Sequence, residues 1–182
     1  MTLLPIDELN RIEAKIATQT DEKRNVDELL DDVLDFLLFA YFVGSQDAAE
    51  SLGIQVEPNI EEARAAINLK IAGKDYKDRI REYAQQETEG ENRSAEILRV
   101  VDTDMTRIYN TAVLDTARKN GATMKTWQTM MDEKVRDPHR VLQSVTIPIE
   151  ADFYTEGDHA PQPGMFANAA LNCNCRCYLT VS

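Results

Sequence analysis

Lys125-Thr126-Trp127-Gln128-Thr129-Met130-Met131-Asp132-Glu133-Lys134-Val135-Arg136-Asp137-Pro138-His139-Arg140 is the stretch whose reading decides the fold. It holds the only Trp and one of the two His of the chain. Trp127, Thr129 and Met131 alternate with Thr126, Gln128 and Met130, and such a run of bulky, Thr-rich side chains at period two predicts a strand of about six residues. Asp137-Pro138 reads as a helix start, with Asp137 as the N-cap and Pro138 at the first helical position, where no backbone donor is needed. His139 then falls in the first turn of a short helix. Residues 132–136 form a charged connection able to carry a fixed carboxylate–guanidinium pair.

The second informative stretch is Asn172-Cys173-Asn174-Cys175-Arg176-Cys177-Tyr178-Leu179-Thr180-Val181, which contains all three cysteines. It reads as a C-terminal strand. Alternate residues of a strand share a face, so Cys173, Cys175 and Cys177 are expected on one side and Asn174 and Arg176 on the other.

Together these residues resemble the phage Mu F-like head morphogenesis family, the minor capsid proteins of tailed phages and prophages. The resemblance rests on Lys125, Trp127, Thr129, Asp132, Val135, Arg136, His139, Phe153, Gly157, Pro163, Gly164, Asn174, Cys175, Arg176 and Cys177, in that order. It covers about the last third of the chain, reaching toward the helix before Gly121. Two departures stand out: Gln143-Ser144-Val145 occupies the place of a Gly-containing turn, and Cys173 is an additional thiol. The resemblance implies a structural, non-enzymatic component of the virion, in the head interior after assembly in the host cytoplasm. It implies the portal protein and the major capsid protein as partners, contact with packaged DNA, and a role in DNA packaging or ejection.

Composition bounds the rest. With 182 residues, 43% of them hydrophobic, the chain can bury a core as one domain or two small ones. No apolar run approaches the roughly 18 to 20 residues of a membrane span, and residues 1–7 lack the basic and apolar regions of a signal peptide, so cytoplasmic synthesis is expected. The formal charge is −12. From Lys125 onward, Lys125, Lys134, Arg136, Arg140 and Arg176 nearly balance the acids, which places the excess acid upstream. An acidic surface repels phosphate backbones and argues against general DNA binding. A basic protein partner fits better, with a merely solubilising surface as the alternative.

Upstream, residues 5–18 predict an amphipathic helix from Ile6, Leu9, Ile12 and Ile16. Asn25-Val26-Asp27-Glu28 has the form of a capping box and leads into an apolar helix ending at Gly44. Phe36, Phe39 and Phe42 lie outside its single stripe, which favours a central helix packed on two faces. Ser45 then caps a short helix through Leu52, stopped by Gly53. Residues 60–72 predict a helix closed by Gly73, and Tyr76, Ile80 and Tyr83 mark another. Residues 87–93 read as a polar joint before the longest helix, residues 94–120, striped by Ile97, Val101, Met105, Ile108, Ala112 and Asp115. After it, residues 145–149 are β-rich with Pro148 at an edge, and residues 150–163 read as a long loop crossing the sheet. The chain is therefore expected to be α+β. Residues 1–120 form a mostly helical, partner-docking region; residues 121–182 form a small, largely antiparallel β region with a short helix, the Mu F-like module.

Three thiols with His139 or His159 suffice in number for Zn²⁺. Alternate side chains in a regular strand, however, stand roughly 6.5 to 7 Å apart, too wide for two thiolates on one ion. The favoured reading is a buried, reduced cysteine row and no cofactor. The alternative is a zinc-stabilised nucleic-acid-binding module with His139, Cys173, Cys175 and Cys177 as ligands. A third reading takes Asp132, Arg136 and His139 as the acid/base set of a metal-dependent hydrolase centred on His139, but no second carboxylate cluster or phosphate loop accompanies it. The preferred assignment makes Lys125, Trp127, Asp132, Arg136, His139, Asn174, Cys175, Arg176 and Cys177 a structural motif. Arg136 and His139 tie the strand end to the C-terminal segment, and Trp127 anchors the core.

Overall fold

Period-3.6 patterning produces five helices in the first two-thirds of the chain. They are α1 (Ile6–Thr18), α2 (Val26–Leu52), α3 (Ile60–Ile67), α4 (Tyr76–Gln85) and α5 (Gly90–Lys119). Shorter elements follow: β1 (Met124–Gln128), α6 (Asp137–Arg140), β2 (Thr146–Pro148), β3 (Phe153–Thr155), β4 (Asp158–Ala160), α7 (Ala169–Asn172) and β5 (Tyr178–Val181). The computed structural model describes residues 6–18, 26–85 and 90–182. The architecture is α+β, and no described helix is long and apolar enough to cross a membrane.

α2 and α5 form the frame. Leu29, Leu30, Val33, Phe36, Leu37, Ala40 and Tyr41 of α2 meet Ile97, Val101, Met105, Ile108 and Ala112 of α5 in one apolar cluster, which Ile12 and Ile16 of α1 and Ile80 of α4 complete. Of the aromatic residues outside the main stripe, Phe36 is buried, Phe42 packs against the core and Phe39 remains exposed. α2 does not end at Gly44, as its sequence suggests, but continues to Leu52, so Ser45 is no cap; it is buried mid-helix. The reason is close approach: a Cβ on Gly44 would lie 2.3 Å from the Tyr109 carbonyl oxygen. This glycine lets two helices touch; it does not stop one. The capping box at Asn25 lies outside the described residues.

α3 begins at Asn59, whose side chain accepts the backbone N–H groups of Glu61 and Glu62, and stops at Ile67, five residues short of expectation. Ala72 and Gly73 both adopt positive φ, and Ile71 pairs with Lys74 in an isolated bridge. Residues 90–93, read as part of a polar joint, belong to α5; residues 87–89 of that joint lie outside the described residues.

The C-terminal half of α5 carries a second cluster, in which Tyr109, Val113, Leu114 and Ala117 pack on Trp127, Phe153, Phe166, Leu171 and Leu179. β1 is the central strand of a three-stranded antiparallel sheet in the order β2-β1-β5. Trp127 stands opposite Leu179, and Lys125 opposite both Ile147 and Val181. Pro148 lies in the edge strand β2, where a missing donor does no harm. β1 is shorter than the alternation implies: Thr129 and Met130 lie beyond its end, and Met131 turns left-handed at φ 57°.

Residues 150–163 are not a structureless loop. They form a β3–β4 hairpin whose two-residue turn, Glu156-Gly157, has positive φ at both positions. That is the type I′ geometry, which matches strand twist. Phe153 and Pro161 lie over the buried face of β1, as a segment crossing the sheet should, and the chain then runs along α5. Gln162 donates to the Arg107 carbonyl and to Thr111, and a Cβ on Gly164 would lie 3.0 Å from Arg107 Cα.

Candidate functional site

The motif residues converge where β1, α6 and the segment 173–177 meet. His139 is buried in α6 by the turn that Pro138 starts. The N-cap of that helix is Arg136 and not Asp137, and it makes no side-chain cap, because a guanidinium has no acceptor to offer; instead it donates to the Cys173 carbonyl. The charged connection does hold a carboxylate, but its partner lies across the chain. Asp132 accepts two hydrogen bonds from Arg176, at 2.9 and 2.8 Å, which hold its carboxyl below the usual range. Asp132, Arg136 and His139 therefore do not form one acid/base set.

The cysteines do not form a strand face either. Cys173 caps α7, whose end is followed by Asn174 at φ 51°, a left-handed conformation that Asn tolerates. Regular pairing resumes only at Tyr178. Past this bend, Cys175 and Cys177 both come to 3.5 Å from His139 Nδ1, and the three residues' candidate ligand atoms all lie within 4.8 Å of one another. Cys173 stays outside that group, on a groove shared with Arg99 and Asn172. His159 is also apart, exposed on the hairpin and 2.7 Å from Asp152.

Rings wall the group in. Trp127 is fully buried, edge-on to His139 at 5.6 Å and to Phe153 at 5.1 Å, and Phe166 stacks on His139 at 6.0 Å. His139 Nε2 is buried without a hydrogen-bond partner. A cavity of about 10 Å³ adjoins the group, bordered by Met130, Arg136, Asn174 and Arg176. The two thiols split: hydrogen bonding to Cys177 and burial push Cys175 well up, whereas the Cys175 hydrogen bond, the Trp127 indole and the Arg136 and Arg176 charges pull Cys177 down.

Lys125 sits two residues before Trp127 on the same face of β1, fully buried. Its ammonium donates to the Pro161 carbonyl at 2.7 Å and lies 5.5 Å from the Phe153 ring centre. Burial draws its pKa down to about 8.

Sequence reasoning missed the polar face of α5. Thr106 donates to the Cys175 carbonyl; Asn110 donates to the Cys177 carbonyl and accepts the Leu179 N–H. The helix thus acts as a hydrogen-bonding neighbour for a segment that has no strand on that side. Asp104, bonded to Arg79 at 2.5 Å and to Arg107 at 3.1 Å, continues the face, and Arg107 reaches the Ala66 carbonyl. The apolar stripe of α5 drew attention to its opposite side; charged residues at positions 104 and 107 read as solvated without knowledge of the neighbours.

A helical frame whose long last helix carries a small antiparallel module, locked by Cys, His and Arg side chains from two distant segments, defines the class. The chain belongs to the phage Mu protein F like family, whose model matches residues 62–180. The match extends well upstream of the last third of the chain, through α4 and all of α5, the elements that hold the motif segment in place. It makes this a phage head morphogenesis protein, of a structural family. No curated protein and no solved structure matches the chain.

Proposed function

We propose that the chain is a minor head protein of a tailed phage or prophage, positioned in the head interior beside the portal protein and in contact with the major capsid protein. The observation that supports a scaffold role for the motif is where its polar groups end. Arg136, Arg176, Lys125 and Thr129 all bond within the chain, to Cys173, Asp132, Pro161 and Gln143 respectively. They build the module and leave recognition to other surfaces.

The docking surface in this reading is the acidic face of the helical region. Asp27, Glu28, Asp31 and Asp35 are exposed along α2, and Asp31, Asp35 and Phe39 follow one another at intervals of four residues. Four-residue spacing places all three on one side of the helix, an acidic stripe ending in an exposed aromatic ring. Such a surface suits a basic protein partner with an apolar pocket. Its charge repels phosphate, so any part in DNA packaging or ejection runs through protein partners.

Co-expression with the portal protein of the same phage is expected to give a stoichiometric complex that weakens as salt rises. Reversing charge with Asp31→Lys and Asp35→Lys is expected to reduce association at least tenfold with an unchanged melting temperature. Absence of any complex with portal or capsid protein at low salt contradicts the proposal.

A further inference from the structure

Two thiols meet one imidazole nitrogen in the cysteine–histidine group. A neutral imidazole nitrogen offers one lone pair or one proton, yet His139 Nδ1 faces Cys175 Sγ and Cys177 Sγ at the same 3.5 Å. In a tetrahedral zinc site with Zn–S near 2.3 Å and Zn–N near 2.0 to 2.1 Å, nitrogen and sulfur ligands stand about 3.6 Å apart. The nitrogen–sulfur distances are those of a ligand set.

We infer that His139, Cys175 and Cys177 bind one Zn²⁺ through Nδ1 and two thiolates, with the adjoining cavity supplying the fourth position. A cavity of about 10 Å³ matches the space taken by one water. Two thiolates and an imidazole suit Zn²⁺ and not the oxygen-seeking Mg²⁺ or Ca²⁺. Two thiolates also neutralise the charge of the ion. The ion is structural. Trp127 and Phe166 wall one side of the site, and the space that adjoins it is only about 10 Å³.

Alternate thiols are too far apart only in a regular strand, and residues 173–177 are not one, because Asn174 turns left-handed. The bend removes Cys173 from the ligand set and brings the other two thiols onto one nitrogen. The ion would pin α6 to the C-terminal segment, reinforcing the Arg136 bond to the Cys173 carbonyl.

The test uses the untagged full chain, purified under reducing conditions without chelator. Elemental analysis is expected to find about one zinc per chain. Cobalt(II) offered to the stripped protein is expected to give tetrahedral ligand-field bands with a sulfur-to-metal charge-transfer band. Cys173→Ser is expected to keep the zinc, and Cys177→Ser to lose it. If Cys177→Ser does not fold, wild-type protein stripped with a chelator decides: its melting temperature is expected to fall and to return with Zn²⁺ alone. A wild-type chain that carries no metal and takes up no cobalt overturns the inference. So does a Cys175–Cys177 disulfide in the chain from reducing buffer, or zinc retained in folded Cys177→Ser.

Discussion

Asp102 shows how a single buried charge sets a pH response in this molecule. It lies on α5, buried, and its pKa is pushed up to about 6 by burial, against the opposing pull of Arg176 and Arg136. Folding therefore favours its protonated form. Between the ordinary value near 3.8 and about 6, the unfolded chain ionises first, so the folded state loses relative stability as pH rises through that window. Above it the full penalty remains. Asp102→Asn is expected to stabilise the protein at pH 7 by on the order of 1 to 3 kcal/mol, with the gain vanishing near pH 4. Urea unfolding at the two pH values checks this; a variant less stable than wild type at pH 7 shows that the arginines outweigh desolvation.

At the scale of elements, legibility in the sequence tracked how local the determining physics was. The helices of the first half, the edge strand at Pro148 and the C-terminal strand were readable, because periodicity and proline act within a few residues. Gly44 was misread because a glycine ends a helix or lets another chain approach, and only the position of Tyr109 decides between the two. Gly44→Ala is expected to push α2 from α5 and cost about 1 to 3 kcal/mol or more, read as a lower denaturation midpoint; no loss of stability contradicts that packing. The β3–β4 hairpin was hidden because Glu156 supplies a left-handed residue that normally calls for Gly or Asn. Ser144 repeats the lesson. It takes φ 59° in a turn where a Gly was expected, so the geometry survives without the residue that signals it. The site was legible as a list of residues but not as an arrangement. The bend at Asn174, which separates Cys173 from Cys175 and Cys177, follows from packing against Thr106 and Asn110 of a helix some 70 positions earlier in the chain.

For the whole molecule, α5 is the shared element: its residues from Ile97 to Ala112 enter one apolar cluster and those from Tyr109 to Ala117 the other. Residues 1–120 and 121–182 are thus proposed as a docking region and a family module joined through one helix. In this account the polar motif maintains the module and acts on head assembly only by keeping it folded. The most direct test pairs thermal unfolding with head assembly for Arg136→Ala, which leaves the buried end of α7 without its donor to the Cys173 carbonyl. The expected loss is about 1 to 3 kcal/mol, a fall of several degrees in melting temperature, with Trp127 fluorescence reporting the transition. Assembly should fail at the higher temperature and recover at one where the variant is folded. An unchanged melting temperature together with abolished assembly at every temperature would contradict the account and make Arg136 a contact residue.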